Sequence, residues 1–233
     1  MNRNPRIRTL AEAALAVALA AVLNLLALRL PINIAGGSIS LTMLPIAIVA
    51  LRRGPLAGAA AGTLFGLIDL LMEPFILVPA QVILDYPLPY LVFGLAVGLF
   101  RPVYQACTAR IPDAPLSPPA AEHGQPAAPL FSTSTSPAHA ARPALASALV
   151  VIAFIAGGLL RFACHVFSGV LFFSEYAGSQ NVWLYSIIYN ISYLAPSLLA
   201  SLVVALIVLP ILQRAVPPLG HASRRRPNQA ASS

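Results

Sequence analysis

The chain has 233 residues, 58% of them hydrophobic and only 9% charged, and its net charge of +7 rests on 14 arginines with no lysine anywhere. An ordinary soluble domain, about a quarter charged, is excluded, and so is a Walker A phosphate loop, which needs a lysine. The arginines are scattered between apolar stretches rather than gathered on one amphipathic face, so they point to membrane topology and not to nucleic acid.

At about 20 apolar residues per span there is room for roughly five to seven helices and no large soluble domain. The apolar stretches predict an all-α membrane protein, a six-transmembrane-helix bundle with spans near 9–29, 39–51, 55–72, 78–100, 145–173 and 182–213. The run 10–28 follows Arg3, Arg6 and Arg8 but is longer than a signal-peptide core, and further spans follow, so it reads as a retained helix. Residues 39–51 are too few to cross a bilayer upright and carry Pro45. They read as partly re-entrant or interfacial, yet they must join opposite sides for the charge pattern to hold.

If these spans alternate, 12 of the 14 arginines fall on one side, with Arg29 and Arg161 as the exceptions. The positive-inside rule makes that side cytoplasmic, placing a multi-pass protein in the cell membrane with both termini inside. Residues 1–101 hold the first four spans and 144–214 the last two. Between them, 102–143 carries nine of the 22 prolines and a Ser/Thr tract at 132–136, which predicts a disordered cytoplasmic linker. The basic tail 215–233 reads likewise, with Arg224, Arg225 and Arg226 serving orientation or lipid headgroups.

In span one, alanines recur at four-residue spacing as Ala14/Ala18 and Ala16/Ala20. Small residues so placed make a flat groove that another helix can approach closely, although an alanine-rich helix can also be ordinary packing. In span four, Asp85 and Tyr86 precede Pro87 and Pro89, which break the helix and free carbonyls. Asp85 is either a site carboxylate or a solvated interfacial acid, and Tyr86 and Tyr90 are either site residues or part of an aromatic belt.

Span five places Arg161, His165, Gly169 and Phe173 at successive four-residue steps, one slowly turning stripe on a helix. Ionisable groups at such depth are costly and normally line a cavity. His165 is either a ligand-facing residue or a satisfied structural histidine, while Arg161 either faces the ligand or pairs with an acid such as Asp69 or with carbonyls. In span six, Trp183, Tyr185 and Tyr189 suit an aromatic belt, and Asn190 lies deeper, where its amide can donate and accept at once. Cys107 and Cys164 form no CxxC motif, and the isolated His123 and His139 lack metal-ligand spacing, so no disulfide, metal or cofactor is indicated.

Taken together, these segments resemble the thiamine-specific substrate-binding subunits (S-components, the ThiT/YuaJ family) of energy-coupling factor transporters. The resemblance runs through Glu12 and the alanine-rich first helix, Leu51-Arg52-Arg53-Gly54, Asp85-Tyr86, the stripe from Arg161 to Phe173 with Ser174-Glu175-Tyr176-Ala177, and Leu184-Tyr185-Ser186 to Asn190. It implies a six-helix fold, cytoplasmic termini and an outward-facing thiamine site. It also implies two kinds of partner, a transmembrane coupling subunit docked at Ala14 and Ala18 and two ABC-type ATPase subunits.

The family's binding glutamate would fall on Asp85, with Tyr86 beside it, and its histidine, glycine, tyrosine and asparagine on His165, Gly169, Tyr185 and Asn190. Phe173 stands where the family has a stacking tryptophan, the first outer loop has no aromatic, and Trp183 is a candidate replacement stacker. Thiamine's cationic thiazolium calls for a carboxylate and aromatic faces, and its aminopyrimidine for an amide or imidazole edge. The alternatives are a related vitamin or a precursor such as hydroxymethylpyrimidine, an intramembrane enzyme using His165 with Ser168 or Ser192, and a self-contained secondary transporter. The enzyme lacks any GxSxG or HExxH motif, and the transporter any internal repeat.

Overall fold

The computed structural model describes residues 4–29, 33–34, 37–108 and 137–215. They form α1 (Pro5–Arg29), α2 (Met43–Arg53), α3 (Pro55–Met72), α4 (Pro79–Asp85), α5 (Pro87–Leu99), α6 (Arg101–Thr108), α7 (Pro137–Phe172), a 3-10 turn (Ser174–Ala177) and α8 (Val182–Ala215). A two-residue antiparallel pairing of β1 (Asn33–Ile34) with β2 (Gly37–Ser38) is the only strand structure among the described residues. Apart from this detail, the regular structure of the described residues is helical.

Among the described residues, five helical stretches are long and apolar enough to cross a membrane: Arg6–Ala27, Pro55–Met72, Pro79–Leu99, Arg142–Phe172 and Val182–Gln213. Leucine, isoleucine and valine side chains cover their outward faces, as lipid requires; Leu15, Leu71 and Leu171 are typical. The predicted span at 39–51 differs. It is α2, 11 residues and by helical rise about 16 Å long, with eight of its residues from Met43 to Leu51 buried. A helix buried on nearly every face needs no lipid-facing stripe, so α2 is short and sits in the core against α1, α3, α5 and α8.

Helices α3 and α5 meet backbone to backbone. A Cβ on Gly58 would strike the carbonyl of Gly94, one on Gly94 the carbonyl of Gly58, and one on Gly62 the carbonyl of Tyr90. Backbone contact of this kind requires glycine, because lipid offers helices no hydrophobic incentive to associate and packing must supply it. Phe65, Phe93 and Phe154 fill the core beside this crossing.

One end of the bundle is tied by arginine. Glu12 on α1 pairs with Arg53, which meets its carboxylate through both Nε and Nη2, and with Arg8 at 3.5 Å and Arg52 at 3.6 Å. The carbonyl of Arg52 accepts bonds from Arg101 Nε and Gln105 Nε2, both at 3.2 Å. Nearby on α6, burial pushes the Tyr104 phenol up to about 12, so it packs as a neutral group.

Helical structure extends into both ends of the stretch 102–143. Residues 102–108 are helical in α6, and 137–143 begin α7, which continues through Pro143. The remainder, 109–136, lies outside the described residues, as do His123, the Ser/Thr tract and the tail beyond 215.

Candidate ligand-binding site

At the end of the bundle opposite the arginine cluster lies a cavity of about 600 Å³, within the range of small-molecule sites. It is walled by the last turns of α1 and α3, the α4–α5 junction, the second half of α7 and the first half of α8. Of the eight residues expected to bind ligand, Asp85, Tyr86, His165, Gly169, Phe173, Tyr185 and Asn190 all line it. These come from three separate stretches of sequence.

The α4–α5 junction exists because Pro87 has no N–H to continue the α4 hydrogen-bond ladder and instead starts α5 at its first position. Asp85 thus ends one helix and Tyr86 bridges to the next. The Asp85 side chain is 17% exposed and turned into the cavity. Its Oδ2 accepts a 2.7 Å bond from Gln81 Nε2, and its Oδ1 lies 3.6 Å from His165 Nδ1. The Tyr86 hydroxyl accepts from Phe75 N at 2.8 Å and donates to the Glu73 carbonyl at 3.0 Å, pinning the segment between α3 and α4.

On α7, the Nε2 of His165 is buried without a hydrogen-bond partner. Gly169 lies against α8, where a Cβ would strike the Ser186 hydroxyl. The close approach lets Ser186 donate to the Val166 carbonyl at 2.9 Å and holds Asn190 next to His165. The Asn190 amide is itself engaged, its Nδ2 with the Ser186 carbonyl at 2.9 Å and its Oδ1 with Tyr193 Oη at 2.8 Å. Tyr185 stacks on Tyr189, with ring centroids 6.0 Å apart.

Trp183 does not line the cavity. It is the second residue of α8, ahead of Tyr185, the first residue of that helix to line the cavity. It is 49% exposed and packs edge-on against Phe167. An aromatic at the cavity that the sequence does not flag is Phe75, whose ring lies parallel to that of Phe173 at 5.9 Å, within 19°. It sits in a non-helical stretch with no periodicity to flag it.

The cavity floor carries a chain of polar groups from four helices. Asn24 on α1 donates to Asp69 on α3 at 2.7 Å, the Tyr90 hydroxyl on α5 contacts Asp69 at 3.4 Å, and Arg161 on α7 donates to Tyr90 at 2.9 Å. Arg161 is 6% exposed. Its two sequence-level alternatives meet here: it faces the cavity, and it reaches Asp69 through Tyr90. Tyr90, 3% exposed, is no belt residue, and Asn24 was invisible in an alanine-rich helix.

On α1, Ala14 and Ala18 are exposed whereas Ala16 and Ala20 are buried in the core. The four alanines divide into an outward and an inward stripe.

Fold and site together define a helical membrane protein with a cavity at one end that polar and aromatic side chains line together. The chain belongs to the thiamine transporter protein family (Thia_YuaJ), which it matches over residues 10–219. It is 29% identical to the thiamine transporter ThiT of Bacillus subtilis (strain 168) over 224 residues, covering 94% of this chain and 97% of the relative. It is 28% identical to the thiamine transporter ThiT of Lacticaseibacillus paracasei over 182 residues, 76% of this chain and 73% of the relative. The solved structure of ThiT from Listeria monocytogenes superimposes with a TM-score of 0.65 at 28% identity, covering 92% of this chain and 97% of that one.

Proposed function

We propose that this chain is the substrate-binding subunit of an energy-coupling factor importer, taking thiamine into the cavity from outside the cell. It then passes the vitamin to an ATP-driven module of one transmembrane coupling subunit and two ABC-type ATPases. It performs no chemistry on the ligand.

The observation that carries this reading is the pairing of one carboxylate with stacked aromatics at the cavity wall. Three acids line the cavity, but Asp69 is linked through Tyr90 to Arg161 and Glu73 is exposed at the rim. Asp85 is left as the enclosed charge for a cation, with Phe75 and Phe173 close by to offer ring faces to the thiazolium. His165, Tyr185 and Asn190 hold the aminopyrimidine, and Tyr86 and Gly169 shape the wall. A nanomolar ligand needs about 12 kcal/mol, within reach of several desolvated, charge-assisted contacts.

The proposed topology has six helical passes, with α2 the short one. Asn24 near the end of α1 and Ser40 just before α2 line the cavity, while Glu12 and Arg53 meet at the other end, so α1 and α2 run in opposite directions through the bundle. Both termini then lie at the arginine-rich end, which the positive-inside rule makes cytoplasmic. The exposed stripe of Ala14 and Ala18 is the surface for the coupling subunit.

The test is calorimetric titration of the purified protein with thiamine, its separate pyrimidine and thiazole halves, and riboflavin. Thiamine is expected to bind most tightly, the halves weakly and riboflavin not at all. Tighter binding of hydroxymethylpyrimidine than of thiamine would shift the reading to a precursor transporter.

A further inference from the structure

We infer that Gln81 is a positioning residue that sets the carboxylate of Asp85 and the ring of Phe75 in their relative places. The inference rests on the proposal that Asp85 receives the cationic part of the ligand.

Gln81 is 1% exposed, on a helix whose other residues are at most partly buried. A buried amide is tolerated only when its hydrogen bonds are made. Here they are: Oε1 accepts from Leu77 N at 3.0 Å, and Nε2 donates to the Phe75 carbonyl at 3.0 Å and to Asp85 Oδ2 at 2.7 Å. Two of these bonds clamp the non-helical stretch that carries Phe75. The third reaches the site carboxylate one helical turn away.

This geometry has two consequences. Asp85 has a short side chain, and the bond to Oδ2 fixes its rotation so that Oδ1 faces His165. Without it the carboxylate could turn and lose that alignment. The same amide anchors the carbonyl of Phe75, whose ring stacks on Phe173. One side chain therefore joins the charge and the aromatic face that a cation would meet together, a joint that neither Asp85 nor Phe75 could supply alone.

The test combines Gln81→Met, close in volume but without the amide, with Asp85→Asn in a double-mutant cycle read by calorimetry with thiamine and with neutral hydroxymethylpyrimidine. Gln81→Met is expected to weaken thiamine roughly ten- to a hundredfold, as for loss of a hydrogen bond to a charged group. It should weaken the neutral pyrimidine much less, and should add little once Asp85 is already Asn. The full thiamine loss persisting in the Asp85→Asn background, or equal losses for both ligands, would overturn the inference by making Gln81 a support of the wall alone. Unchanged thiamine affinity would overturn it too. If Gln81→Met does not fold, Gln81→Asn keeps an amide but withdraws it by one methylene, and the same cycle applies. Asp85→Asn binding thiamine as well as the native protein does would instead remove the carboxylate from the site, a separate failure.

Discussion

The guanidinium carbon of Arg161 lies 4.0 Å from the centroid of the Tyr90 ring, and Nη2 of the same arginine donates to the Tyr90 hydroxyl at 2.9 Å. Tyr90 also contacts Asp69, so the phenol is an insulated bridge between a buried cation and an acid. Breaking a buried pair by removing one partner typically costs about 3 to 5 kcal/mol, because the other charge is stranded. Arg161→Met is therefore expected to lower the thermal stability of the ligand-free protein strongly. Adding Asp69→Asn should recover most of the loss. A double variant no more stable than the single one in a detergent unfolding assay would mean that the arginine acts through something other than Asp69.

The Asp85 charge is tested by ligand chemistry. Asp85→Asn should weaken thiamine by roughly 2 to 5 kcal/mol, as for truncation of a desolvated charge pair. It should spare neutral pyrimidine analogues, whereas His165→Ala and Asn190→Ala should weaken both. Asp85→Glu should be tolerated, since the longer acid restores the residue of the resembling family. Calorimetry with the same ligands reads all four variants.

The alanine stripes of α1 make opposite predictions. Ala14→Trp and Ala18→Trp place bulk on an exposed face away from the cavity, so uptake should be abolished while thiamine binding by the isolated subunit stays nearly intact. Ala20 is fully buried, and Ala20→Trp should destabilise the subunit itself through overpacking. If binding falls together with uptake in the Ala14 and Ala18 variants, those alanines serve internal packing instead.

Long apolar stretches announced the five membrane-capable helices, because period and length suffice for a helix that lipid surrounds. The stripe from Arg161 to Phe173 was legible for a related reason: four-residue spacing of costly side chains can only mean one face. The shortness of α2 was legible, but its place in the core was not, since a helix enclosed by other helices is as apolar as one in lipid. Asn24 and Phe75 escaped because each gains meaning only from a partner brought near by the fold, and Gln81 because its bonds to Phe75 and Leu77 depend on an irregular local turn. Trp183 misled because residue type suggested stacking, whereas it sits at the very start of α8 and packs against Phe167. The Gly58, Gly62 and Gly66 repeat of α3 was the stronger small-residue signal in the chain, though the alanines of α1 drew the attention.

Orientation is tested by labelling. The arginine cluster at Glu12 and the cavity lie at opposite ends of the bundle, so the 109–136 segment between α6 and α7 and the 3-10 turn before α8 should face opposite sides of the membrane. In a chain with Cys107 and Cys164 replaced by serine, Thr133→Cys should react with an impermeant maleimide only from the cytoplasmic side. Ser179→Cys, an exposed position beside the turn, should react only from outside. Labelling of both from one face would overturn the six-pass arrangement, because an odd number of crossings must separate them through α7. Reversed labelling would keep the fold but turn the cavity inward, and uptake from the medium could no longer begin there.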